Sequence, residues 1–399
     1  MSVASPGGVR LLVGGALVNL CLGSLFSWSL FVRPLAGTFD SSASAVSSVF
    51  SVAVVVFATV VLAGGRVVDR LPAWWVVLAA ALIGTVGLVV AARAASLHWV
   101  VVGYGGLFGV ANGLGYATAV AVAGKGFGER RGFALGVVVG AYAAGPLVAS
   151  PAITAVLSRS DWRMTFVLLA AGVGVALVAG ALLLGGGVDA AADEEPDRPP
   201  SMRDRPLLLR PQGFTLWLAF LLGTLPALLV VAHAASIADA GGLSAAAVSA
   251  AVAVLGAGNL TGRAAGGWLS DRIGRLPGLR TATAGLAVAC VVLSLMAATV
   301  PVLLLMVLVG IGYGTQSSLV PALTADLFGT EHFGANYGRV FTGWGVAGLV
   351  GPQLGARLST GGDFRAALWV GAGSAVAAFA LHTVLGRIAA HDDEAEVTA

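Results

Sequence analysis

Charge is scarce in this chain: only 10% of its 399 residues are Asp, Glu, Lys or Arg, while 58% are hydrophobic. A soluble domain is excluded, because its interior cannot absorb so much apolar sequence and its surface needs more charge than this. Cysteine is nearly absent as well. Cys21 and Cys290 both fall in apolar runs, which favours packing over a disulfide or metal pair and gives no redox information. Metal-ligand spacings and nucleophile motifs are missing. AGKGFGERRG, Ala123 to Gly132, superficially suggests a phosphate loop, yet Gly126 follows Lys125 where Ser or Thr is needed, and no strand precedes it. The chain has no visible means of hydrolysing ATP, no cofactor or metal is expected, and an enzyme is the least favoured class.

Long apolar runs are what the chain has in abundance, with a mean hydropathy of +0.93. Runs of about 20 residues suffice to cross the hydrocarbon core as helices. Twelve are predicted, over residues 10–35, 43–64, 73–93, 97–123, 131–154, 163–186, 213–237, 244–269, 279–299, 301–328, 335–358 and 364–388. The expected fold class is therefore an all-α membrane protein. The first run is too long, and too quickly followed by a second, to read as a cleaved secretory signal, so it is expected to stay on the protein.

Basic residues set the orientation. With the N-terminus inside, 15 Lys and Arg fall on the cytoplasmic side and 6 on the other, which places both termini in the cytoplasm of a plasma-membrane protein. The net charge of +3 is then an orientation signal, and no nucleic-acid partner is implied. The remaining basic residue is Arg263, inside a predicted span.

DAAADEEPDRPPSMRDRPLLLRPQ, Asp189 to Gln212, is the longest charged and Pro-rich stretch. It reads as a cytoplasmic linker. The expected bodies are an N-terminal six-helix bundle over 1–188, the linker over 189–212, a C-terminal bundle over 213–388 and a tail over 389–399. The halves resemble each other. GGRVVDRLP (Gly64 to Pro72) after span two matches GGWLSDRIGR (Gly266 to Arg275) after span eight, and SDWRMTF before span six is echoed by GDFRAAL before span twelve. Two similar halves imply a repeat architecture with a central site, as in secondary transporters.

These loops resemble the signature loop of the major facilitator superfamily, roughly G-x-L-x-D-R-x-G-R. The second copy matches at Gly267, Leu269, Asp271, Arg272, Gly274 and Arg275; the first matches at Gly65, Asp69 and Arg70 but has Pro72 where glycine is usual. That departure bears on how firmly the N-terminal loop latches. Within the superfamily, GSLFSWSLF (Gly23 to Phe31), NGLGYATAVA (Asn112 to Ala121), GNLTGR (Gly258 to Arg263), PALTADLFG (Pro321 to Gly329) and GANYGRVFTGWGVAGLVGP (Gly334 to Pro352) resemble the oxalate/formate antiporters and bacterial monocarboxylate carriers. The resemblance implies two pseudo-symmetric six-helix bundles, alternating access by rocking, and a small carboxylate as substrate. It implies a monomer, with protons as a candidate coupling ion.

An arginine at membrane depth needs a partner or a water-filled cavity. Span eight contains no acidic residue, so Arg263 either grips a substrate carboxylate through its planar fork of donors or snorkels to the cytoplasmic interface. The resemblance implies the first, with Asn259 one turn earlier adding a neutral hydrogen bond. Oxalate exchangers of the group carry a lysine in a Y-T-A-K-G motif of the eleventh helix; the matching run here is FTGWG, Phe341 to Gly345, with Trp344 at the lysine position. One cation beside a tryptophan suits a monocarboxylate better than a dianion, although interhelix packing also accounts for Trp344. Tyr116 and Tyr313 fall where the family lines its cavity, with Tyr142 and Phe341 as apolar walls; core packing explains each of these equally well. His233 is a candidate proton carrier or a histidine bonded to a neighbouring helix. Mammalian monocarboxylate carriers have an aspartate at the Asn259 position, so their proton mechanism does not carry over. An oxalate/formate exchanger, a carboxylate sensor without transport and a multidrug exporter are the alternatives.

Overall fold

A computed structural model describes residues 5–185, 207–295, 299–359 and 363–397, and these are almost wholly helical. Residues 189–206 of the expected linker lie outside the described residues. Local sequence starts the helices: Ser5 caps α1 (Pro6–Leu22) through the Gly8 amide, Ser42 caps α3 (Ala43–Arg70) through Ala45, and Asp161 caps α8 (Trp162–Leu184) through Met164. Such caps are worth about 1 kcal/mol each.

The first predicted span is not one helix. After α1 a 3₁₀ segment, Gly23–Ser27, intervenes before α2 (Ser29–Phe39). A Cβ on Gly23 would overlap the Tyr142 carbonyl, so the chain bends where only glycine fits. The fourth span is also irregular. Beyond α4 (Ala73–Ala92) and the single turn α5 (Leu97–Val100), residues Val101–Phe108 form a π-helix that leads into α6 (Gly109–Gly126). There Tyr104 is fully buried and donates its hydroxyl to the Leu25 carbonyl at 2.9 Å. Then come α7 (Arg131–Leu157) and α8, followed beyond the linker by α9 (Pro211–Ala240), α10 (Ala245–Ile273), α11 (Arg275–Leu295), α12 (Thr299–Phe328), α13 (Phe333–Leu358) and α14 (Arg365–Val397).

Among the described residues, ten helical segments are long and apolar enough to cross a membrane, which makes this a multi-pass membrane protein. Helices α10 and α13 are also long enough to cross a membrane, at 29 and 26 residues. They carry Asn259 and Arg263, and Arg339 and Asn336, respectively.

The chain divides into two compact units. Unit 1 comprises Met1–Gly128, Val137–Glu195 and Thr330–Gly338; unit 2 comprises Glu129–Gly136, Pro196–Gly329 and Arg339–Ala399. The first turns of α7 thus group with unit 2, and those of α13 with unit 1.

The repeat reaches further than the loops. Asp69 and Asp271 are 202 residues apart, and the same offset relates the cap Ser42 of α3 to the cap Ser244 of α10. It also relates Gly136, packed on the Arg263 carbonyl, to Gly338, packed on the Val61 carbonyl. In unit 2 the closest seam joins α10 to α12. Gly258 and Gly262 face the Val307 and Ile311 carbonyls, while Gly310 and Gly314 face those of Leu255 and Asn259, all so closely that a Cβ would overlap them. Small residues at four-residue spacing let membrane helices approach backbone to backbone.

Candidate functional site

That seam positions the polar cluster of unit 2. Asn259 and Arg263 are one turn apart on α10, hence on one face. Arg263 is only 7% exposed, and its Nε donates to Asn259 Oδ1 at 3.0 Å, which fixes the plane of the guanidinium. Its carbon lies 5.7 Å from the ring centroid of Tyr313 on α12, within cation–π range. Tyr313 in turn accepts from Trp344 Nε1 at 2.9 Å, and Trp344 stacks on Phe341 with centroids 4.9 Å apart. The phenol oxygen is occupied as an acceptor, so its own hydrogen is turned toward donation. Five of the candidate residues, Arg263, Asn259, Tyr313, Trp344 and Phe341, therefore form one connected group in which a guanidinium and a phenol can both donate to an anion.

The offset of 202 places Tyr142 opposite Trp344 in the repeat, and Phe57 and Val61 opposite Asn259 and Arg263. In unit 1 the corresponding group is aromatic. Tyr116 meets Phe57 and Tyr142 edge to face, with centroids 5.3 Å apart in both cases. Tyr142 donates to Asn112 Oδ1 at 2.9 Å, and the Tyr116 hydroxyl lies 3.4 Å from that of Tyr337. Asn112 is fully buried and donates to the Phe108 carbonyl at 2.9 Å, so Tyr142 and Asn112 satisfy each other. The repeat is broken in chemistry: charge and amide in one half, aromatic surface in the other. Phe57, Asn112 and Tyr337 were not singled out from sequence. The 202-residue offset is the signal that finds Phe57.

His233 is placed differently. Its Nε2 lies 2.9 Å from the Pro352 carbonyl and its ring packs on Phe364 with centroids 5.2 Å apart. These partners lie in the last two turns of α13 and just before α14, and no contact of the ring with Arg263, Asn259 or Tyr313 is present among the described residues.

The signature loops cap helices. Asp271 accepts from the Gly132 and Phe133 amides at 2.9 and 2.8 Å, at the start of α7, and pairs with Arg275. Asp69 accepts from the Gly334 and Ala335 amides at 2.8 Å each, at the start of α13, and pairs with Lys125 Nζ at 2.9 Å. A carboxylate on two free N–H groups at a helix N-terminus is favoured by charge and dipole together. Gly267 and Gly65 admit these contacts: a Cβ on either would overlap the Gly132 or Gly334 carbonyl. Pro72 does not prevent the N-terminal loop from making its two amide bonds. It replaces Gly274, whose φ of 92° proline cannot adopt, and the chain simply passes extended through Leu71 into α4. Arg275 and Arg131 both pair with Asp326 of α12, Arg275 Nε at 3.0 Å. Arg272 lies over the Trp268 ring at 3.9 Å, and Arg70 is exposed. Asp326 and Lys125 were missed as loop partners, because nothing in their local sequence shows the pairing.

The chain matches the family profile described as Major Facilitator Superfamily over residues 12–314 and 216–398. It is 27% identical to an oxalate:formate antiporter of Oxalobacter formigenes, over 92% of this chain and 89% of that one. It is also 27% identical to the MFS-type transporter YhjX of Escherichia coli, over 85% of each. A monocarboxylate transporter 12-B of Danio rerio matches at 26% over 77% of this chain and 72% of that one. Among solved structures, the proton:xylose symporter XylE superposes with a TM-score of 0.74, covering 93% of this chain and 94% of that one; at 16% identity this bears on fold alone.

Proposed function

From the premise that the chain belongs to the major facilitator superfamily, we propose that it is a secondary transporter of small organic anions, with monocarboxylates such as lactate, pyruvate or formate as substrates. The observation that carries this reading is Arg263, a buried guanidinium on α10, taken here as a membrane span, held in plane by Asn259 and flanked by Tyr313. A charge at that depth costs several kcal/mol or more unless it is used or compensated, and a planar donor fork is matched to a carboxylate. Tyr313, polarised by Trp344, adds a second donor.

The proposed frame is twelve spans in two six-helix bundles, both termini cytoplasmic in the plasma membrane, with alternating access as the transport cycle. The Asp69 and Asp271 caps are the proposed conformational latches, because each joins a loop to the first amides of a helix distant in sequence. A proton is a candidate coupling ion. Oxalate/formate exchange is the second reading, favoured by the similarity to the antiporter of that name over nearly the whole chain. Against it stands Trp344, hydrogen-bonded to Tyr313 where the exchangers' lysine would supply a second cation.

The test is uptake of labelled lactate, pyruvate, formate and oxalate into proteoliposomes, with and without an imposed pH gradient. Saturable uptake of a monocarboxylate in preference to oxalate supports the reading. Binding without flux would make the protein a sensor, and stimulation of flux by the gradient would identify the proton as coupling ion.

A further inference from the structure

A second cation lies outside the group just described. Arg280 sits near the start of α11, at one end of a groove of about 610 Å³ walled by α11, α12 and α14. Its Nη2 donates to the His382 carbonyl of α14 at 3.3 Å. The Arg280 Nε is buried and has no hydrogen-bond partner, and no acidic side chain pairs with Arg280 among the described residues. The neighbouring His382 is fully buried with neither ring nitrogen hydrogen-bonded, and an imidazole carries no negative charge to offset the guanidinium.

Away from Arg280 the groove turns apolar. Gly285, Val288, Leu308 and Phe379 line it, and Val288 and Phe379 are 56% and 40% exposed. On α11, residues 280, 284, 288 and 295 recur at helical spacing, so a stripe of Ala284, Val288 and Leu295 runs from the guanidinium along one face. Exposed Leu304 and Val300 continue the α12 wall, and exposed Val376 lies one turn from Phe379 on α14.

We propose that this groove binds one anionic phospholipid, with its phosphate at Arg280 and an acyl chain along the Val288 stripe. An inorganic anion would use the cation and leave the apolar wall unused; a zwitterionic or neutral lipid would use the wall and bring no net negative charge to the guanidinium. The basic loop residues Arg272 and Arg275 place Arg280 on the cytoplasmic side by the charge rule, where anionic lipid is enriched. This site is independent of the carboxylate reading, because it shares no residue with the Arg263 group.

Native mass spectrometry of the full chain, released from detergent containing equal amounts of phosphatidylglycerol and phosphatidylcholine, tests the proposal. The wild type is expected to retain phosphatidylglycerol over phosphatidylcholine by about fivefold, the preference one arginine near a headgroup confers. Arg280→Gln removes that preference. Gly285→Leu, which keeps the cation but fills the groove beside Leu308, lowers retention of both lipids. Equal retention of the two lipids by the wild type, or unchanged retention in both variants, overturns the proposal. Displacement of the lipid by excess inorganic phosphate would make the site one for a soluble anion and overturn it as well. If Arg280→Gln does not fold, Gly285→Leu decides alone.

Discussion

Replacing Trp344 with lysine tests how the site counts charge. Trp344 is 8% exposed, donates to Tyr313 and stacks on Phe341, and Tyr313 in turn lies against Arg263. A lysine stem can follow the indole's path and deliver an ammonium to the Tyr313 end of the group. At a separation of about 7 Å and an effective dielectric of about 20, an added positive charge interacts with one extra negative charge by about 2 kcal/mol. That is about a thirtyfold change in the ratio of oxalate to lactate uptake, in favour of oxalate. Monoanion transport should fall in absolute terms, since one anion then leaves an uncompensated cation in a low-dielectric space. Loss of the stack on Phe341 works against stability by about 1 kcal/mol, which a melting curve in detergent separates from the selectivity change. The assay is a competition series: liposomes loaded identically with wild-type or variant protein, labelled lactate outside, and unlabelled oxalate, formate or pyruvate as competitor. An unchanged oxalate-to-lactate ratio in a variant that folds and still transports would refute the charge count.

Further outcomes are expected elsewhere. Asp271→Asn should lower turnover by about tenfold with KM nearly unchanged, because it weakens two charge-assisted bonds to the α7 amides and the pair with Arg275; Asp69→Asn should act in the same direction. An equal change in equilibrium binding would show that these loops belong to the substrate site. Tyr313→Phe removes the phenol that accepts from Trp344 and should raise KM for monocarboxylates by about tenfold, measured from uptake at varied substrate; an unaltered KM would assign Tyr313 to packing. Gly262→Val forces a side chain onto the Ile311 carbonyl and should destabilise the α10–α12 seam by about 1–3 kcal/mol, visible as a lowered melting temperature. A melting temperature equal to wild type would mean the seam is not under steric constraint.

Much of this was legible in the residues. Apolar length places the helices, because a bilayer demands about 20 consecutive residues whatever the tertiary packing. The loop motif is legible since its glycines and aspartates are fixed by backbone contact, and the structure puts Asp69 and Asp271 on helix amides as helix-end chemistry requires. The break at Gly23 was not legible, because it depends on the approach of the Tyr142 carbonyl from a helix more than a hundred residues away. The same holds for the π-helix around Tyr104, whose hydroxyl partner is a backbone carbonyl in the broken first span. The seam of Gly258, Gly262, Gly310 and Gly314 is visible in sequence only once α10 is known to pair with α12. In the site, Arg263 and Asn259 share a helical face and were readable together. Their link through Tyr313 to Trp344 joins three helices and depends on how those helices pack.

The central claim is that Arg263 grips a substrate carboxylate with both arms of its fork. Its most direct test is lactate transport and lactate binding measured side by side for wild type, Arg263→Lys and Arg263→Gln, with indole fluorescence reporting binding beside Trp344. Lysine keeps the charge but loses the fork and the Nε bond to Asn259, so Arg263→Lys should fold normally, bind lactate about ten- to a hundredfold more weakly and transport it correspondingly slowly; Arg263→Gln should do neither. Near-normal binding and uptake by Arg263→Lys would remove the bidentate grip, and lactate uptake by Arg263→Gln would remove Arg263 from the site altogether.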